Sequence, residues 1–151
     1  MNTCFFIGHR EADERILPAL IDTVHRLVRE ENVRCFYVGG YGGFDRLAGV
    51  AVKEAKKLHA DVTLNLVLPY HPAEKKTELL PGYDGSYYPE GLEKVPRRYA
   101  IIRANKIMVD SSDWLVCYVK HGASNSRKVL EYAQNRARKG LIHIENLAEA
   151  F

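Results

Sequence analysis

Short apolar runs alternate with amphipathic stripes along this chain. Residues 3–7, 33–38, 62–68, 113–119 and 141–144 are dense in β-branched, aromatic and aliphatic residues, the pattern of buried strands. Between them, Ile16, Leu17, Leu20, Ile21, Val24, Leu27 and Val28 recur at helical spacing and predict a helix over 14–30. Leu47, Ala48, Ala51, Val52, Ala55 and Leu58 predict a second helix over 44–58. Tyr99, Ile102, Ile107 and Met108 predict a third over 97–111, and Val129, Leu130, Ala133 and Ala137 a fourth over 124–139. Asp13 suits the N-cap of the first helix, with Pro18 near its first turn, and Gly140 suits the end of the last.

Strands that alternate with helices describe an α/β fold: a mostly parallel five-stranded sheet between two helical layers, with right-handed crossovers. The order expected for this class is 3-2-1-4-5, which sets the first and fourth strands side by side. The loops at Gly8 and Gly122 are then neighbours.

One stretch breaks the rhythm. Residues 70–96 carry Pro72, Pro81, Pro89 and Pro96, with Tyr83, Tyr87 and Tyr88 among them. A long irregular connection in a compact domain is usually functional or mobile. We read it as a flap at the ligand edge, with a helical turn or two over 73–80. A decorative insertion or a subunit contact is the competing reading. The tyrosines make a homodimer one expectation.

Composition narrows the class. With 151 residues the chain fits one domain with a real core. Apolar residues make up 46% and charged residues 27%, as in ordinary globular proteins. A formal charge of +3 permits an anionic ligand but makes no electrostatic case for a nucleic-acid partner, and none is expected. No apolar run is long enough to span a membrane, and no signal-peptide pattern precedes the first strand. Cys4, Cys35 and Cys117 each sit in a strand run and match no zinc spacing. They read as reduced core residues of a cytoplasmic protein, with neither a metal nor a cofactor expected.

Candidate chemistry lies where strands end, because ligands of open parallel sheets bind beyond the carboxyl ends of the strands. Gly8-His9-Arg10 follows the first strand. Arg10 can grip a phosphate or carboxylate with two parallel hydrogen bonds, and His9 can donate to a phosphate or titrate near neutrality. Gly39, Gly40, Gly42 and Gly43 lead into the second helix, a composition that suits an anion nest of free N–H groups. No Gly-Lys-Ser/Thr follows, so this is not a Walker A loop. Asp45 either caps that helix or accepts from a sugar hydroxyl or base amine. Lys120-His121-Gly122-Ala123-Ser124-Asn125-Ser126 follows the fourth strand. Its Ser124, Asn125 and Ser126 either cap the next helix or bind phosphate. Pro69 and Tyr70 end the third strand at the same edge, where Tyr70 can stack on a base. Arg103 and Asn105 lie on the helix after the irregular stretch, and Arg97, Arg98 and Arg103 can meet a phosphate or form a solvated face.

These motifs resemble the SLOG superfamily of Rossmann-like domains. Gly8-His9-Arg10, Gly39-Gly40 with Gly43-Phe44-Asp45-Arg46-Leu47-Ala48, Leu68-Pro69-Tyr70 and Gly122-Ala123-Ser124 carry the resemblance, which is closest to its small stand-alone YpsA-like members. The superfamily also holds the lonely-guy phosphoribohydrolases, the DNA-processing protein A family and sensors of NAD-derived nucleotides. The resemblance implies a Rossmann-like three-layer sandwich and a nucleotide or nucleotide-sugar held by the glycine loops. Lonely-guy enzymes carry Pro-Gly-Gly-x-Gly-Thr-x-x-Glu, whose glutamate acts with an arginine to cleave the N-glycosidic bond. Here the proline and second glycine are absent, and Glu131 lies two residues beyond that spacing, about 200° round the helix. Nucleotide binding is therefore the first reading. Hydrolysis of an N-glycosidic or phosphoester bond, with Asp45 or Glu131 as acid or base and Arg10 or Arg103 in support, is the alternative. Single-stranded DNA binding through the tyrosines and arginines is the third.

Overall fold

The structure, a computed structural model, describes residues 2–120, 122 and 124–150. His121 and Ala123 of the third loop motif lie outside the described residues. Strands β1 (Asn2–Gly8), β2 (Val33–Val38), β3 (Thr63–Val67), β4 (Gly85–Tyr87), β5 (Trp114–Tyr118) and β6 (His143–Asn146) form one sheet in the order β4-β3-β2-β1-β5-β6. Every pairing is parallel. The fold is α/β, as expected, and β1 and β5 are adjacent at the point where strand order reverses. The sheet has six strands rather than five.

The added strand lies inside the irregular stretch. Gly85-Ser86-Tyr87 has no apolar periodicity, and a side chain fixes its place. The Asp84 carboxylate accepts from the Leu64 N–H at 2.8 Å and from Lys56 at 2.6 Å. Leu92, 3% exposed, plugs the next turn into the core. No helix forms over 73–80; a single turn there rests on N–H donation from Glu74 and Lys75 to the His71 carbonyl.

Alternation along β1 splits the core in two. Cys4 and Phe6 face helices α1 (Leu17–Glu31) and α2 (Gly43–Leu58). Phe5 and Ile7 face α3 (Ala100–Ser111) and α4 (Asn125–Arg138). Period-two side chains of a strand buried on both faces produce this three-layer arrangement. On α1, Leu20, Val24, Leu27 and Val28 form one buried stripe. Pro18 sits at its start, and Asn32 ends it in the left-handed region at φ 57°. Cys4 and Cys117 are buried, and desolvation pushes the Cys117 thiol up to about 12, so neither is poised as a thiolate. No helix among the described residues is long and apolar enough to cross a membrane.

Candidate functional site

The loops after β1 and β5 diverge toward opposite helical layers and leave a crevice of about 330 Å³ between them. Gly8, His9 and Arg10 form one wall, and Ser124, Asn125 and Ser126 the facing one. Gly39, Tyr41 and Asp45 close a third side, and Ile101 and Asn105 of α3 the fourth. The two predicted neighbours meet directly. The His9 N–H donates to the Tyr118 carbonyl at 3.2 Å, and the Ser126 hydroxyl donates to the Gly8 carbonyl at 3.0 Å.

Other predicted residues lie elsewhere. Gly40 and Gly42 border a separate hollow behind the crevice, which shares Gly39 and Asp45 with it. Pro69 and Tyr70 line a third cavity beside it. Gly122 is exposed and does not line the crevice. Arg103 and Glu131 are exposed and stand outside it. Asn105, named from the sequence beside Arg103, does line the crevice, together with Ile101, its i, i+4 neighbour on the same helix face, which the sequence reading did not single out.

The glycine loop is chiefly a joint. The Gly43 N–H donates to the Arg10 carbonyl at 2.7 Å, and the Phe44 N–H to the His9 carbonyl at 3.3 Å. The Tyr41 N–H donates to the Asp45 carboxylate at 2.9 Å. The Gly43 and Phe44 donors that an anion nest would leave free thus lock the two loops together, and the Tyr41 donor is taken up by Asp45 of its own segment. A Cβ on Gly8 would sit 2.3 Å from the Phe44 ring, and one on Gly43 2.6 Å from the Arg10 carbonyl oxygen. The glycines are needed for this close approach.

The other wall presents the donors of a helix start. Ser124 caps α4 by accepting from the Arg127 N–H at 3.1 Å. The N–H groups of Asn125 and Ser126, at the first two helical positions, have no intrahelical partner and carry the positive end of the helix dipole. Arg10 is exposed at the mouth, and none of the ion pairs among the described residues involves it. His9 Nε2 accepts from the Lys120 N–H at 2.8 Å, which fixes its proton on Nδ1. Partial burial, then the Lys120 charge, lowers its pKa and favours that neutral form.

Asp45 sets the opposite polarity. Burial raises its carboxyl to about 6, against the partial offset of the Tyr41 N–H. A raised folded-state pKa gives stability that is complete below the unfolded value and is lost as pH rises through the folded one. Ionised Asp45 therefore costs stability at neutral pH, about 1–3 kcal/mol for a partly buried group. Asp45→Asn, which keeps an acceptor for Tyr41, is expected to add about 1–2 kcal/mol near pH 7.5 and nothing near pH 4. Urea unfolding at both pH values checks this, and an equal gain at both would contradict the carboxylate as its source.

No family model matches the sequence, and no curated protein matches it. Solved structures do. DNA processing protein A from Streptococcus pneumoniae superposes with a TM-score of 0.58 at 13% identity, over 98% of this chain and 59% of that one. The chain shares the fold of DNA processing protein A. The Helicobacter pylori DNA processing protein A aligns with a TM-score of 0.52 at 16% identity, over 98% of this chain and 77% of that one. This chain thus spans little more than half the length of the pneumococcal protein. The Helicobacter protein binds single-stranded DNA. That finding corrects the expectation that nucleic acid is not a partner. Net charge averages over the whole surface, whereas a single strand needs only a local cationic and aromatic track.

Proposed function

We propose that this chain binds single-stranded DNA and seats one nucleotide unit in the crevice between β1 and β5. The observation that carries the reading is the chain-long likeness to a single-strand-binding protein, joined to a crevice with opposite polarity at its ends. The Asn125 and Ser126 amides, with Arg10, suit a phosphate. Asp45, an acceptor when ionised, suits a base amine or sugar hydroxyl. The Ser124 and Ser126 hydroxyls act mainly in holding the wall, as cap and tie. A nucleotide-sugar ligand gains no support from the structural neighbours. Of the residues considered for hydrolysis, Asp45 and Arg10 line the crevice while Glu131 and Arg103 do not, so cleavage would rest on Asp45 and Arg10 alone. The motif positions together with this fold support a place in the SLOG superfamily.

Fluorescence anisotropy with labelled single strands tests the reading. With three or four cations near the strand, log affinity is expected to fall with log salt at a slope of about −2 to −3. Single strands are expected to bind more tightly than duplex of the same length, because bases must be splayed to enter the crevice. A flat salt response, or tighter duplex binding, would contradict it.

A further inference from the structure

Beside the crevice, the irregular stretch builds the third cavity, of about 340 Å³, which the reading so far leaves without a role. Tyr70 and Arg97 form one side, with the guanidinium 4.4 Å from the ring centroid. Leu92 and Tyr88 line it further in, and two carboxylates, Glu74 and Glu93, face it. Glu74 reaches Arg97 only at 3.8 Å, in an exposed and weak pair. Desolvation first, then the Glu93 and Glu74 charges, raises the Tyr88 phenol, consistent with both acids crowding one spot.

A track joins the two cavities. Tyr41 lines the crevice. The Lys75 ammonium stands 5.7 Å from the Tyr41 ring and 5.5 Å from the Tyr70 ring. Exposed Lys75 and Arg97 thus stand over the half-buried Tyr41 and Tyr70 rings, a pairing of cations with aromatic rings of the kind on which single-stranded bases stack.

We infer that this cavity is a base pocket for the nucleotide adjoining the one in the crevice, and that it selects bases bearing an exocyclic amine over thymine. The inference rests on the single-strand reading above. Two carboxylates repel a phosphate, so the backbone runs outside over Lys75 and the uncharged base enters. Carboxylates only accept hydrogen bonds. Cytosine, adenine and guanine each offer an amine with two N–H donors, whereas thymine offers a carbonyl oxygen at the position of the cytosine amine and only a single ring N–H beside it. The base stacks on the Tyr70–Arg97 pair while Glu74 or Glu93 accepts from its amine.

The test compares oligomers of deoxycytidine and of thymidine, of equal length, by anisotropy on the full chain. The deoxycytidine strand is expected to bind roughly tenfold more tightly, the scale of one amine–carboxylate contact. Glu74→Gln with Glu93→Gln, isosteric changes at exposed positions, should bring the ratio below about twofold without weakening the thymidine strand. Arg10→Ala should weaken both strands and preserve the ratio. Equal binding of the two strands by the unaltered protein, or a preference that survives the double substitution, would overturn the base pocket and leave the crevice standing. Binding of neither strand would overturn the single-strand reading and this pocket with it.

Discussion

Gly42→Ala is expected to lower stability by about 3 kcal/mol or more. Gly42 adopts φ 129° with ψ −174°, a conformation essentially confined to glycine. A Cβ there would lie 2.7 Å from the Arg10 Cα, which is backbone and cannot rotate aside. Relief requires the β1–α1 loop to part from the start of α2. That movement breaks the hydrogen bonds of Gly43 and Phe44 to the Arg10 and His9 carbonyls. Strain and lost bonds therefore add, because all pass through one joint. Denaturant unfolding measures the loss. A change below about 1 kcal/mol would mean that the loops are not locked as described.

Arg10→Ala is expected to weaken single-strand binding by about 10- to 100-fold and leave stability within about 0.5 kcal/mol. The side chain is exposed and serves no ion pair among the described residues, so its removal costs the fold little. A guanidinium holds a phosphate by two charge-assisted bonds, and the loss of one phosphate contact lowers the salt slope by about 0.7. Arg10→Lys should recover part of the affinity, since a point charge remains but the fork does not. Anisotropy titrations across salt check both quantities. Unchanged affinity would remove Arg10 from the interface.

The sheet order around β1 was legible because strands buried on both faces leave continuous apolar runs, and helical stripes separate them. Gly8 and the residues around Ser124 were legible as neighbours because the strand order sets β1 beside β5. What the sequence concealed was how local groups are used. The glycines around the start of α2 have the composition of an anion nest, yet the Gly43 and Phe44 N–H groups answer carbonyls of a loop more than thirty residues earlier. Strand β4 was hidden because Asp84, rather than a periodic run, fixes Gly85-Ser86-Tyr87 to the sheet. The same stretch read as a loose flap, although Leu92 and Tyr83 anchor it, Tyr83 over Gly49 of α2. The pairing of Tyr70 with Arg97 spans that whole segment and leaves no local pattern. Net charge made no case for a nucleic-acid partner for a related reason: it sums over the surface and does not record that Arg10, Lys75 and Arg97 gather at one edge.

The most direct test of the account is the amide spectrum of the labelled protein as a single strand is added. Seating a nucleotide unit between β1 and β5 predicts the largest shifts at Gly8, Arg10, Gly39, Asn125 and Ser126, saturating together, with little change along α1. Shifts confined to α1 or the far edge at β6, or none at a strand concentration that saturates anisotropy, would contradict binding in the crevice.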